Sequence, residues 1–212
     1  VLLSGESGVG KTLCIQAFAN WLGDRVHFMR VEGPLLFSKY VGETERRIRE
    51  IFQVARQIAP TLLFFDELDA ITASRGRAGD DGTGNVHERV VAQLLNEMDG
   101  IQSNQGIFMV ACTNRQDLID RALLRPGRFG KIVQCKKPTN KEREQILGLF
   151  FAQSGIERSS VGVDQTLIEQ TKGYTGADLY ALYNQAMLEQ SAEFNNDFNQ
   201  ILVNYLKAKT NY

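Results

Sequence analysis

The chain has 212 residues, of which 43% are hydrophobic and 23% charged, and its formal net charge is −1. That profile belongs to a folded globular protein rather than a disordered one, and the balanced charge excludes a globally basic, nucleic-acid-coating surface. The longest apolar run, "LLFF" at 62–65, is far too short to span a bilayer, and the opening "VLLSGES" lacks the basic start and long apolar core of a secretory signal. It reads as a strand entering a turn, so the chain is expected to be a piece of a longer, cytoplasmic protein. Cys14, Cys112 and Cys135 have no metal-ligand spacing. All three are expected in apolar surroundings, as packing residues in a reducing compartment.

In chain order, "VLLS" is the first predicted strand and "GESGVGKT" (5–12) follows it directly. This satisfies G-x-x-x-x-G-K-[ST] between a strand and a helix predicted over 11–22, the context that gives the pattern meaning. Its glycines let successive N–H groups form an anion nest at a helix start. Lys11 can then reach terminal phosphates, and the Thr12 hydroxyl suits the oxygen shell of Mg²⁺. "VHFMRV" is the second strand, and a helix is expected from Glu43 to Ile58, stopped near Pro60.

The third strand, "TLLFFD", is continuously apolar, as a strand buried on both faces is. It ends in Asp66 and Glu67. Adjacent carboxylates at a strand end fit one group on a metal and one orienting water for in-line attack, which is hydrolase chemistry. Asp69 is read as surface or outer support. "SRGRAGDDGTGN" (74–85) reads as a glycine-rich mobile loop, with a helix after it over 86–98. "GIFMVACT" leads to Asn114, which can hydrogen-bond a γ-phosphate or attacking water. "RPGR" then sets Arg125 and Arg128 on a Pro-Gly turn suited to phosphate recognition by a neighbouring subunit. "KIVQC" is the last strand.

Beyond Pro138 only helical periodicity is present, as in "GADLYALYNQAMLEQ", and "SGIERSSVGVD" reads as a loop between helices. The predicted fold is therefore α/β: a P-loop parallel sheet sandwiched by helices over 1–138, with a small C-terminal helical lid domain over 139–212.

The loop at 5–12, "LLFFDE" and "TNRQDLIDRALLRPGRF", in this order and spacing, resemble the Walker A, Walker B and second region of homology of the AAA family of ATPases. "KYVGETERRIREIF" and "GYTGADL" match two more of its signatures, so the resemblance covers nearly the whole chain. Within the family the chain is most similar to the valosin-containing-protein group. That group's relatives are the peroxisomal export ATPases, the ribosome-maturation ATPases and N-ethylmaleimide-sensitive factor.

The resemblance implies an ATP-hydrolysing, protein-remodelling ring, a hexamer, that uses ATP and Mg²⁺, pulls polypeptide through a central pore and works with adaptor proteins. Nucleotide would be bound by Gly5, Glu6, Ser7, Gly8, Val9, Gly10, Lys11, Thr12, Leu13, Ile146, Gly176 and Ala177, and Mg²⁺ by Thr12 and Asp66. Lys11, Glu67, Asn114 (sensor 1), Arg125 and Arg128 (arginine fingers on the adjacent protomer's ATP) would be catalytic. Tyr40, Val41 and Gly42 would be the pore loop, and Asp99-Gly100 would lie near the intersubunit signalling segment. Three residue choices depart from the family pattern: Glu6-Ser7 where two prolines are usual, Gly130-Lys131 in "RFGK", and Phe150 where some relatives carry histidine near the ribose. The alternatives are a nucleic-acid motor on the same core, for which the mixed-charge helix after Lys39 offers little, and a nucleotide-dependent assembly scaffold without turnover.

Overall fold

Five short runs rich in leucine, isoleucine, valine and phenylalanine form one parallel sheet. The computed structural model describes residues 1–36, 42–72, 84–101, 106–153 and 165–192. The strands are β1 (Leu2–Ser4), β2 (His27–Glu32), β3 (Thr61–Asp66), β4 (Ile107–Thr113) and β5 (Ile132–Gln134), in spatial order β2-β3-β4-β1-β5. Every pairing is parallel. The helices α1 (Lys11–Leu22), α2 (Gly33–Leu36), α3 (Glu43–Gln57), α4 (Leu68–Thr72) and α5 (Gly84–Asp99) alternate with them. This is the expected α/β core.

All six residues of β3 are buried, because both faces of the strand are covered. Leu63 and Phe65 join one core with Ile48 and Phe52 of α3 and with Val90 and Leu94 of α5. Leu62 and Phe64 join a second core with Ile15 of α1. The buried residues of α3 are Thr44, Ile48, Phe52 and Ala55, a stripe at helical spacing. Its wet face carries the ion pairs Arg47–Glu43 (3.0 Å) and Arg46–Glu50 (3.2 Å), which add only a few tenths of a kcal/mol each.

Two expectations are corrected. Cys14 is exposed on α1 rather than packed, since the buried stripe of that helix runs through Ile15. Gly84 and Asn85, expected in a loop, open α5, where the first backbone N–H groups need no intrahelical partner. The rest of that predicted loop and the stretch 154–164 lie outside the described residues.

The strand order decides where the functional ends meet. The chain leaves β1, builds β2 and β3 away from it, and returns to insert β4 between them, so β4 pairs with β1 on one side and β3 on the other. Open parallel sheets bind ligands at the carboxyl ends of their strands, where the order reverses. Here those ends are the loop after β1, Asp66-Glu67 after β3 and Asn114 after β4. A further constraint comes from Gly33, at the start of α2. A Cβ there would lie 2.5 Å from the Glu67 carbonyl oxygen and 3.3 Å from that of Asp66.

The chain divides into two compact units, residues 1–6 with 11–135 and residues 7–10 with 136–212. The second unit contains α6 (Asn140–Gln153), α7 (Gln165–Gln170) and α8 (Gly176–Ala192). Its core is Leu147 and Phe151 of α6, Leu167 and Ile168 of α7, and Leu179, Leu182 and Ala186 of α8. Two capping boxes start its helices. Thr139 N–H donates to Glu142 (2.7 Å) and Glu142 N–H returns to the Thr139 hydroxyl (3.4 Å) at α6. Thr175 and Asp178 repeat this at α8, at 2.9 and 3.3 Å.

Arg143 is only 2% exposed. Its guanidinium donates to the Pro138 and Ile168 carbonyls (3.2 and 2.7 Å), Asn140 Oδ1 (3.0 Å) and the Thr171 hydroxyl (3.3 Å). It is a buried cation satisfied by four neutral acceptors from two sequence segments, 138–140 and 168–171. Among the described residues no helix is long and apolar enough to cross a membrane.

Replacing Arg143 by Met strands those acceptors and should lower stability by about 2–4 kcal/mol in chemical denaturation. Arg143→Lys should not rescue it, because one ammonium cannot reproduce the fork. Gly33→Ala should cost about 1–3 kcal/mol by overpacking, measured the same way, and should disturb the Asp66-Glu67 turn it presses on.

Candidate active site

Between β1 and α1 the chain turns on Gly8 (φ +82°) and Gly10 (φ +93°), values that L side chains rarely adopt. Lys11, the first residue of α1, is buried. Its Nζ donates to the Gly5 carbonyl (2.8 Å), the Glu6 carbonyl (2.7 Å) and Asn114 Oδ1 (2.8 Å), which uses all three ammonium donors. The Glu6 carbonyl thus takes part in holding the lysine. Within the second unit, the Ala177 N–H at the start of α8 donates to the Gly8 carbonyl (3.1 Å), and Gly176 approaches the same oxygen. Leu13 is exposed on α1.

At the end of β3, both Asp66 carboxylate oxygens lie 3.2 Å from the Thr12 hydroxyl. Oδ2 also accepts from Arg30 Nη2 at 2.8 Å. The Asp66 side chain is 10% exposed, so a charge-assisted bond there is little screened. Glu67 follows with φ +54°, the positive-φ non-glycine residue of the described chain, and its side chain is exposed. Backbone strain of this kind costs of order 1–3 kcal/mol and concentrates at functional sites. The buried Cys112 thiol is pushed up to about 12, by burial first and the Asp66 charge second. It therefore stays protonated at neutral pH and offers no nucleophile.

Asp69, read from sequence as outer support, has a defined task. Its Oδ1 accepts from the buried Thr113 hydroxyl (2.8 Å) and the Asn114 N–H (3.4 Å), fixing the end of β4. Thr113 Oγ1 in turn accepts from Arg115 N–H at 3.0 Å.

The arginine turn is rigid for a packing reason. Phe129 is fully buried, edge-on to Phe65 with ring centroids 6.1 Å apart, and its N–H donates to Leu123 O at 2.9 Å. Arg125 is exposed. Arg128 is not: Nε donates to Asp99 Oδ1 (2.8 Å) and Nη1 to the Ala122 carbonyl (2.7 Å). The Arg128 hydrogen bonds hold the Asp99 carboxyl below the usual carboxylate range. Thus Arg128 joins the turn to the end of α5, and its hydrogen bonds do not run to the loop at 5–12.

Tyr40 and Val41 lie outside the described residues. Gly42 precedes α3 in the left-handed region, at φ +84°. Ile146 packs against the helical core. Phe150 sits in an aromatic group with Tyr180 and Tyr183, at 5.3 and 5.4 Å. Sequence reasoning missed Arg30 and Gly33. Arg30 carried no local signal: it registers with fully buried Phe64 and meets Asp66, 36 positions away, only once β2 and β3 are paired.

Known proteins resemble the chain. The model of the "ATPase family associated with various cellular activities (AAA)" matches residues 1–137. Protein CdcH of Halobacterium salinarum is 44% identical over 189 residues, 89% of this chain and 24% of that protein. ATPase family gene 2 protein homolog A of Homo sapiens is 45% identical over 188 residues, 89% of this chain and 20% of that protein. Peroxisomal ATPase PEX6 of Candida glabrata is 37% identical over 206 residues, 97% and 20% of the two chains. The chain spans about a fifth to a quarter of the length of these relatives. With its phosphate loop, carboxylate pair and arginine turn, and a family match over most of its length, the chain belongs to the AAA family of ATPases.

Proposed function

We propose that this chain is the ATP-hydrolysing core of a ring-forming motor that remodels proteins. The observation that carries the reading is the meeting of Lys11, Thr12, Asp66 and Asn114 at three adjacent strand ends, with Lys11–Asn114 at 2.8 Å and Thr12–Asp66 at 3.2 Å. Residues 5–13 cradle the phosphates, Lys11 neutralises the terminal ones, and Asn114 orients the γ-phosphate or the attacking water. Glu67, exposed on its strained backbone, is the general base. Gly176 and Ala177, which approach Gly8, border the nucleotide, and Ile146 lies toward the base.

The Thr12 hydroxyl and the Asp66 carboxylate are hard oxygen donors and fit Mg²⁺. Among the described residues no group of three or more His, Cys, Asp or Glu side chains could hold a metal. An ion held by Thr12 and Asp66 would take its remaining oxygens from nucleotide phosphates and would neutralise charge there.

Arg125, exposed on a turn anchored by Phe129, is the finger offered to a neighbouring protomer, and Arg128 with Asp99 couples that turn to α5. The complete protein would then act as a hexamer with adaptor partners in the cytoplasm. Tyr40, Val41 and Gly42 would grip an unfolded polypeptide by stacking and apolar contact.

If the site is shared between protomers, ATPase activity of the full-length protein rises more than linearly with its concentration. Arg125→Ala should lower kcat by about 10³-fold or more while nucleotide affinity changes little. Glu67→Gln should bind ATP and fail to turn it over, and Tyr40→Ala should keep ATPase activity and lose substrate unfolding. Strictly proportional activity together with an unaffected Arg125→Ala would overturn the shared site. Salt-sensitive single-strand binding in place of unfolding would point to the nucleic-acid motor instead.

A further inference from the structure

The proposed hydrolysis leaves Arg30 without a role, yet its guanidinium ends on the carboxylate assigned to the metal. It lies on β2, an edge strand of the sheet, with Nη2 2.8 Å from Asp66 Oδ2 and 3.3 Å from Glu32 Oε1. Its side chain is 38% exposed, whereas Asp66 is 10% exposed. With the carboxylate buried and the guanidinium partly exposed, the pair offsets part of the cost of burying Asp66. An arginine remains charged at every working pH, so its positive charge on Asp66 is permanent. A carboxylate has about four acceptor positions. The Thr12 hydroxyl and Arg30 leave room among them for a metal, so Arg30 opposes a second cation by charge and not by blocking it.

We propose that Arg30 is a positioning residue that holds Asp66 through Oδ2 and, by its fixed charge, raises the Mg²⁺ concentration required for nucleotide binding. Glu32 draws on the same guanidinium and moderates the effect. The inference rests on the reading of Asp66 as the metal contact. It makes this site more demanding of Mg²⁺ than the phosphate loop alone would be, and it places the control on an edge strand, open to solvent through the groove between β2 and α3 that Met29, Glu32, Arg47 and Ile51 line.

The test titrates Mg²⁺ against a fluorescent ATP analogue bound to the full-length protein, reading binding and not turnover. Arg30→Gln should lower the Mg²⁺ midpoint roughly tenfold, the scale of one unit charge acting on a divalent ion in a largely aqueous medium. Arg30→Lys, which keeps the charge, should stay near the wild-type midpoint, and Glu32→Gln should raise it roughly two- to threefold. Thermal melts confirm that each variant is folded, and Glu32→Gln carries the test independently if Arg30→Gln does not fold. An unchanged midpoint in Arg30→Gln overturns the proposal, as does a raised one, which would assign Arg30 to the phosphates. Arg30→Lys behaving like Gln overturns the charge argument. Asp66→Asn separates the layers: if wild-type binding ignores Mg²⁺, or Asp66→Asn leaves the midpoint unmoved, the metal reading itself fails. A midpoint that depends on Asp66 but not on Arg30 defeats this inference alone.

Discussion

The Lys11 ammonium, buried at the start of α1, is held by two carbonyls of its own loop and by Asn114 at the end of β4. Such an arrangement exists only because β4 lies beside β1, and it lies there because the chain returns between β1 and β3 after building the sheet's far edge. A buried ammonium without acceptors would be too costly to keep. The phosphate loop and the polar end of β4 are therefore mutually required. The same strand order lays Asp66 on the other side of β4, within reach of Thr12. One topological choice thus brings Lys11, Asn114, Thr12 and Asp66 together.

Around this arrangement the neighbouring groups act as supports with distinct jobs. Asp69 ties down Thr113 and the Asn114 backbone, so the amide that meets Lys11 is aimed by a carboxylate just beyond Asp66 and Glu67. Gly33 leaves space for the carbonyls of Asp66 and Glu67, and α2 can therefore pass close beneath a strained turn. Phe129 carries the arginine turn into the same core that Phe65 fills. Phe65 immediately precedes Asp66, so the packing that steadies the Asp66 carboxylate also steadies the turn bearing Arg125.

Much of this was legible in the sequence, for reasons that differ by element. The continuous apolar run of β3 announced burial on both faces, and the glycine spacing before Lys11 announced a loop between strand and helix. These signals are local. Cys14 was misread because its neighbours in sequence are apolar, while its direction on α1 is set by which stripe of that helix meets the sheet, and Ile15 takes that place. Arg30 and Asp69 were under-read for a related reason. Their partners lie 36 and 44 positions away in the chain, and no spacing rule joins strands β2 and β3 or helix α4 and strand β4 until the strand order is known. The bond between Arg128 and Asp99 was likewise hidden. Both arginines flank one Pro-Gly turn, and only the fold shows that Asp99 claims the second.

The charges of the site follow from these constraints. Lys11 is satisfied by neutral oxygens and remains a net cation facing the phosphate loop, as an anion site needs. Asp66 is a buried anion, and a buried anion is held stably only when paired and hydrogen-bonded. Thr12 supplies the hydrogen bond and Arg30 the countercharge. A site with the threonine alone would leave the carboxylate more strongly attracting to any cation, whereas the arginine lowers that attraction without removing the ligand. The pair offsets the cost of burying the Asp66 carboxylate, and in the proposed reading the same positive charge opposes a divalent ion there.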